Sequence, residues 1–197
     1  MNRLIGLVAF AFLSCSNNTP TSTIENTDTT NISNTTNTLP TDNSNTITNT
    51  QESGSNNNTV KTENGLTWYT NVEQAIQVSI KEKKPLFLFF TGSDWCGWCI
   101  RLQKEVFTKS EFEKWAKSNV VLVELDFPRK KQLPDAIVQQ NNQLQQQLGV
   151  QGYPTVWMIK SEQGAEKVQL SPLGSLGYEA GGPSAWLKSA NAILNNK

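Results

Sequence analysis

The chain has 197 residues, and its 17 lysines and arginines balance 17 aspartates and glutamates, so its formal net charge is zero. This balance argues against the strongly basic surface that binding to nucleic acid requires. The chain contains no histidine, the commonest imidazole base and metal ligand, and its three cysteines leave one thiol outside any pair.

The first fifteen residues have the layout of an export signal. Arg3 provides a positive charge, and residues 4–13 (LIGLVAFAFL) form an apolar run that is too short to span a bilayer. With Cys15 the segment resembles a bacterial lipoprotein signal, in which that cysteine is acylated and becomes the mature N-terminus. The alternative is an ordinary signal peptide with an incidental cysteine. On the lipoprotein interpretation, Cys96 and Cys99 remain as a pair.

Residues 16–63 are predicted to form a disordered tether. Of these 48 residues, 33 are Asn, Thr or Ser, and none is aromatic. Such a segment cannot bury enough apolar surface to offset the entropy of ordering it. As a flexible coil it would span about 40 Å on average. We therefore expect three parts: a signal in residues 1–15, the tether in 16–63 and one folded domain in 64–197.

The pattern of the folded part predicts alternating helices and strands. The expected elements are a helix at 71–83 capped by Asn71, a strand at 86–90 (LFLFF), a helix at 100–107, a helix opening with a capping box at Ser110, a strand at 120–125, a helix at 134–148, a strand at 155–159, a turn at 161–164, an edge strand at 168–170 and a helix at 184–194. This order predicts an α/β sandwich with helices on both faces of a small mixed sheet. Ala185, Leu187, Ala190 and Ile193 are expected to face inward.

Cys96 and Cys99 stand two residues apart at a predicted junction between a strand and a helix. A structural zinc site requires four Cys or His ligands, and this chain has no histidine to add to the two cysteines. Covalent haem attachment requires a histidine directly after the second cysteine, where Ile100 stands. Neither zinc nor haem is therefore expected. A purely structural crosslink remains open. It would close a four-residue loop and contribute about 2 kcal/mol, on which a domain with this much apolar sequence hardly depends.

A redox pair explains the spacing. At a helix N-terminus the helix dipole and unpaired N–H groups stabilise a thiolate, which makes Cys96 the expected nucleophile. Cys99, one turn further on, would then attack the mixed disulfide and release the partner. Downstream, Pro154 precedes a predicted strand, and sequence alone leaves open whether its peptide bond is cis or trans.

The chain resembles the thioredoxin superfamily over residues 67–194, in the motifs WCGWC and GVQGYPTVWMI. It is similar to exported bacterial thioredoxin-like proteins and to the C-terminal domain of transmembrane thiol:disulfide interchange reductases. The resemblance implies a three-layer α/β/α sandwich, a cis Pro154 against the cysteine pair, and no metal or organic cofactor. It also implies a substrate-binding groove around the pair, formed by Trp95, Gly97, Trp98, Tyr153, Pro154 and Thr155.

Two departures from that family leave questions open. Thioredoxins carry proline where Trp98 stands, and a buried acid on the strand before the motif, which LFLFF lacks. Asp94, expected to be exposed, and Glu124, on another strand, are the candidates for the acid. Trp95 and Trp98 can be either packing residues or a docking surface. The charged segment 126–131 is expected to be a solvated connection.

The sequence thus predicts a monomeric, membrane-anchored, periplasm-facing oxidoreductase that exchanges dithiol for disulfide with protein partners of the cell envelope. Whether it reduces, oxidises or isomerises is not encoded in the motif. One alternative is an adaptor that binds extended peptides and keeps its cysteines permanently oxidised. Another is a structural lipoprotein that does not depend on either thiol.

Overall fold

A six-stranded mixed sheet is the centre of the fold in the computed structural model, which describes residues 59–195. The elements are β1 (Val60–Glu63), β2 (Leu66–Tyr69), α1 (Val72–Glu82), β3 (Leu86–Thr91), α2 (Gly97–Leu102), a π-helical segment (Gln103–Phe107), α3 (Ser110–Asn119), β4 (Val121–Asp126), α4 (Asp135–Gln147), β5 (Thr155–Gln163), β6 (Val168–Leu176) and α5 (Gly182–Asn195). The strand order is β1-β2-β4-β3-β5-β6. Strand β3 runs parallel to β4 and antiparallel to β5.

Helices cover both faces of the sheet, which confirms the predicted three-layer sandwich. All six residues of β3 are buried, as expected for a continuous apolar strand at the centre of a sheet. Phe87 and Phe89 pack on the face covered by α2, α3 and α5. Leu86, Leu88 and Phe90 pack on the opposite face, against α1 and α4.

An aromatic cluster fills the first of these faces. Phe87, Phe107, Phe112 and Trp186 lie within 4.5–6.0 Å of one another, measured between ring centroids. Such pairs contribute about 0.5–1.5 kcal/mol each beyond the area they bury. Trp186 on α5 is fully buried and its indole N–H donates to the carbonyl of Gly177. Ala190 is buried, and Leu187 and Ile193 pack against the same cluster, as expected, whereas the burial of Trp186 was not predicted.

The predicted start of the domain at residue 64 is wrong. Residues 60–63, assigned to the tether, form β1, which pairs antiparallel with β2. Asn64 and Gly65 connect the two strands with positive φ angles of 51° and 70°, which suits the Asn-Gly pair of a tight hairpin. Lys61 of this strand also forms an ion pair with Glu124 of β4. The rest of the tether and Cys15 lie outside the described residues.

Other boundaries differ in detail. The Asn71 side chain caps α1 by accepting from the Gln74 N–H at 2.9 Å, as predicted. The capping box at Ser110 is wrong, because Ser110 is already helical and its hydroxyl meets Glu111. The turn expected at 161–164 comes later, since β5 and β6 extend through polar residues that an edge of a sheet tolerates.

None of the helices within residues 59–195 is long and apolar enough to cross a membrane.

Candidate functional site

The cysteine pair lies where β3 ends and α2 begins. Cys96 is the N-cap of α2, and its Sγ accepts a hydrogen bond from the backbone N–H of Cys99 at 3.2 Å. The two sulfurs form a disulfide, with the Cα atoms 5.2 Å apart. A sulfur at a helix N-cap accepts hydrogen bonds from backbone N–H groups and lies at the positive end of the helix dipole. Both effects favour its thiolate form after reduction.

The two sulfurs differ in access. Cys96 is 6% exposed, whereas Cys99 is fully buried among the apolar side chains of the core. Cys96 is therefore the more accessible residue of the pair. This difference agrees with the expected roles of nucleophile and resolving residue.

Pro154 lies at the start of β5, next to the end of β3. Its peptide bond with Tyr153 is cis, as the resemblance implies. Thr155 pairs with Phe90 of β3 and its hydroxyl donates to the carbonyl of Gly152 at 2.8 Å. The Tyr153 and Trp95 rings meet edge to face, with their centroids 5.9 Å apart. The structure thus brings Tyr153, Pro154 and Thr155 beside the cysteine motif.

The two tryptophans of the motif are placed differently. Trp98 is 55% exposed, although its ring packs on Tyr178 at 5.1 Å. Trp95 is half-buried, and its indole N–H donates to the carbonyl of Phe127 at 2.7 Å. Trp95 is therefore a packing residue, while Trp98 presents an apolar surface to solvent. Gly97 is exposed, with nothing within 4 Å of the position that a Cβ atom would take.

A polar network that no local sequence pattern indicates supports Trp98. The Tyr178 hydroxyl donates to Glu105 at 2.7 Å, and the Arg101 guanidinium donates to the other oxygen of the same carboxylate at 2.8 Å. The hydrogen bond from Tyr178, followed by that from Arg101, lowers the pKa of Glu105. The Arg101 guanidinium also lies 5.3 Å from the centre of the Trp98 ring. This network joins the π-helical segment to the loop after β6 and holds Trp98 in place.

The charged segment 126–131 is not a simple solvated connection. Asp126 is buried, and its carboxylate accepts from the backbone N–H and the hydroxyl of Ser93 at 2.8 and 2.7 Å. The Asp94 carboxylate accepts from the N–H groups of Arg129 and Lys130, and these bonds, led by that from Arg129, lower its pKa. Asp126, at the start of the segment, and Asp94, in the loop before Cys96, thus tie the segment to that loop, which comprises residues 92–95 and is called here the motif loop.

Of the two candidate acids, Glu124 lies on another strand, β4, as expected, and Asp94 lies in the loop before Cys96. The Asp94 carboxylate accepts hydrogen bonds from the backbone N–H groups of Arg129 and Lys130, and so holds the segment 126–131 in place. Glu124 is 7% exposed, and lines a small cavity with Phe89 and Gln103, the latter one helical turn after Cys99. Its carboxylate is paired with Lys61. No cluster of three potential metal ligands occurs within residues 59–195.

The mixed sheet, the disulfide at a helix N-terminus and the adjacent cis-proline together define a thioredoxin-fold thiol:disulfide oxidoreductase. A sequence profile of the thioredoxin-like domain matches residues 72–171, a range that contains both cysteines and Pro154. The chain belongs to the thioredoxin-like domain family.

Similar proteins agree with this assignment. The disulfide bond reductase DsbH of Chlamydia pneumoniae is 36% identical over 129 residues, which are 66% of this chain and 73% of DsbH. A solved structure of a DsbH oxidoreductase is 37% identical, with a TM-score of 0.57 over 67% of this chain and 86% of that one. The thioredoxin-related protein DsbJ of Chlamydia pneumoniae is 29% identical over 59% of this chain, but only 32% of its own length is matched. A thioredoxin from Thermus thermophilus shares the fold, with a TM-score of 0.50 at 15% identity over 66% of this chain and 88% of that one.

Proposed function

We propose that the protein reduces disulfide bonds in exported proteins. The observation that carries the proposal is the position of Cys96, a helix N-cap that keeps some exposure while Cys99 is fully buried. The direction is supported by the similarity to DsbH, a protein named as a disulfide bond reductase. Exported substrates are supported by the signal-like N-terminus of the sequence.

The geometry supports a two-step exchange. In the reduced protein the Cys96 thiolate attacks one sulfur of the substrate disulfide, and the other substrate sulfur leaves as a thiolate that takes up a proton. Cys99 loses its proton and attacks Cys96, which releases the second substrate thiol and forms the Cys96–Cys99 disulfide. Two electrons thus pass from the cysteine pair to the substrate, and a dithiol donor must return them.

The cellular setting belongs to the same proposal. Acylation of Cys15 would anchor the mature chain to a bacterial membrane, and the predicted tether would let a monomeric domain reach partners on the periplasmic side. Labelling with a radioactive fatty acid checks the anchor, because a Cys15→Ala variant should incorporate no label.

Trapping of reaction intermediates tests the activity. A Cys99→Ser variant of the mature chain should accumulate mixed disulfides through Cys96, because no thiol is left to resolve them. The matched control is the double variant Cys96→Ser/Cys99→Ser, which should trap nothing. An adaptor with a permanently oxidised pair, or a structural lipoprotein, would give no trapped species with either variant.

Measuring the reduction potential of the cysteine pair against glutathione tests the direction. A reductase is expected near the value of thioredoxin, about −270 mV, and an oxidant near that of DsbA, about −120 mV. A value close to the latter would refute the reductase assignment while leaving the exchange chemistry intact.

A further inference from the structure

Residues 127–131, called here the basic loop, form one wall of the site. Buried Asp126, just before the loop, pairs with Lys131 at 2.7 Å and also holds Ser93 of the motif loop. The positive charge of Lys131 is therefore matched by a buried carboxylate. The basic loop is fixed to the rest of the site at this end.

Asp94 fixes the middle of the basic loop through its backbone. Both carboxylate oxygens accept from the N–H of Arg129, at 3.0 and 3.2 Å, and one also accepts from the N–H of Lys130 at 2.7 Å. The nearest acid is thus occupied by the main chain of Arg129. Within residues 59–195 the side chain of Arg129 forms no salt bridge and no hydrogen bond.

The guanidinium of Arg129 lies against Trp95 instead. Its central carbon is 3.8 Å from the centre of the indole ring, close enough for a cation–π interaction. The Trp95 ring is itself fixed, because its N–H donates to the carbonyl of Phe127 and the ring packs edge to face with Tyr153. An exposed arginine is therefore held in one place, with its N–H donors available at the rim of the site.

This place adjoins the two parts of the site that a substrate must touch. Trp95 directly precedes Cys96, and Tyr153 directly precedes the cis Pro154. Phe127 stacks on Tyr153 at 5.1 Å and completes the wall. The Arg129 guanidinium thus lies on a ring that borders both Cys96 in the chain and Tyr153 in space.

We infer that Arg129 is a specificity-determining residue that binds a carboxylate of the partner protein close to the disulfide being exchanged. This inference rests on the proposed function and adds the chemical class of the preferred partner. A planar guanidinium can bind a carboxylate through two parallel hydrogen bonds, and its stacking on Trp95 reduces the conformational freedom lost on binding. Arg129 acts on the choice of partner and not on the sulfur chemistry.

Three disulfide-bonded peptides that differ only in the residue beside the cysteine, Glu, Gln or Lys, test the inference. The reduced wild-type protein should reduce the Glu peptide about two- to fivefold faster than the Gln peptide, compared as kcat/KM, as expected for an exposed ion pair. The Lys peptide should be slowest. The preference should shrink at 0.5 M salt, which screens exposed charges.

Variants of the basic loop supply the controls. Arg129→Gln should bring the ratio of kcat/KM for the Glu and Gln peptides close to one, because the ratio cancels any effect on the sulfur chemistry that both peptides share. Arg129→Lys should keep part of the preference, because the charge remains but the planar pairing is lost. Lys130→Gln removes the same charge one residue away and should keep the full preference. Circular dichroism confirms that each variant is folded.

Two results would overturn the inference: no preference for the Glu peptide in the wild type, or an equal loss on all three peptides in Arg129→Gln. The second would mean that the guanidinium acts on the reactivity of the thiol and not on partner choice. Failure of the proposed function looks different, since the wild-type protein would then reduce none of the three peptides, and both proposals would fall.

Discussion

Gly92 lies directly beneath the ring of Trp95, and replacing it with alanine should disturb the site without touching a reactive group. A Cβ atom at residue 92 would lie 2.5 Å from the indole nitrogen and 2.8 Å from Cζ2. Side chains essentially never approach so closely, so the ring must move. The hydrogen bond to Phe127 and the contact with Arg129 hold it where it is.

The expected cost has two parts. Overpacking of a well-packed site destabilises by about 1–3 kcal/mol. Loss of the indole hydrogen bond adds about 1 kcal/mol, a typical net value. We therefore expect Gly92→Ala to lower the free energy of unfolding of the oxidised protein by about 2–4 kcal/mol. Urea unfolding measures this as a lower midpoint at an unchanged slope.

A double-mutant cycle isolates the cause. In a Trp95→Ala background the ring is absent, so Gly92→Ala should cost less than about 0.5 kcal/mol. Gly152→Ala is the matched control, because nothing lies within 4 Å of its Cβ position. If Gly92→Ala costs the same with and without Trp95, or costs nothing in the wild-type background, the steric reasoning is wrong.

Three further predictions concern other contacts. Tyr178→Phe deletes the hydroxyl that donates to Glu105, and should lower the urea midpoint of unfolding slightly at an unchanged slope. The pKa of Asp94 is lowered on folding, so its contribution to stability is complete above the unfolded value of 3.8 and is lost as the pH falls through the folded value. Asp94→Asn should therefore be less stable than wild type at pH 7, and the difference in urea midpoint should vanish in strong acid; a difference that persists there would contradict the assignment. A chain that begins at residue 64 lacks β1 and leaves the Glu124 carboxylate without Lys61, so it should unfold at a lower urea concentration than one that begins at residue 59. Equal midpoints would instead support a domain that begins at residue 64.

The sequence predicted the parts of the fold whose signals are local. LFLFF, a short apolar run ahead of a turn, favours a strand buried on both faces, and the Cys-x-x-Cys spacing suits two sulfurs on one turn of a helix. Strand β1 was missed because its residues, VKTE, have the polar composition of the preceding tether. The Asn64-Gly65 pair was a hairpin signal that the composition of its surroundings obscured.

The site was predicted less completely, because its supporting contacts join distant parts of the chain. The bond between Asp94 and the Arg129 N–H spans 35 residues, and that between Tyr178 and Glu105 spans 73. No local pattern indicates either contact. A charged run such as residues 126–131 looks the same in sequence whether it is solvated or tied to a neighbouring loop.

The unequal burial of the two cysteines also bears on how the reduced protein withstands an oxidant. A peroxide that reached Cys96 would convert it to a sulfenic acid, the first and still reversible rung of cysteine oxidation. Cys99 lies one helical turn away and is fully buried, which protects its own thiol. It can condense with the sulfenic acid, with loss of water, to give the disulfide before sulfinic acid forms. The burial of Cys99 thus keeps its thiol available, and a dithiol can later reduce the resulting disulfide and restore Cys96.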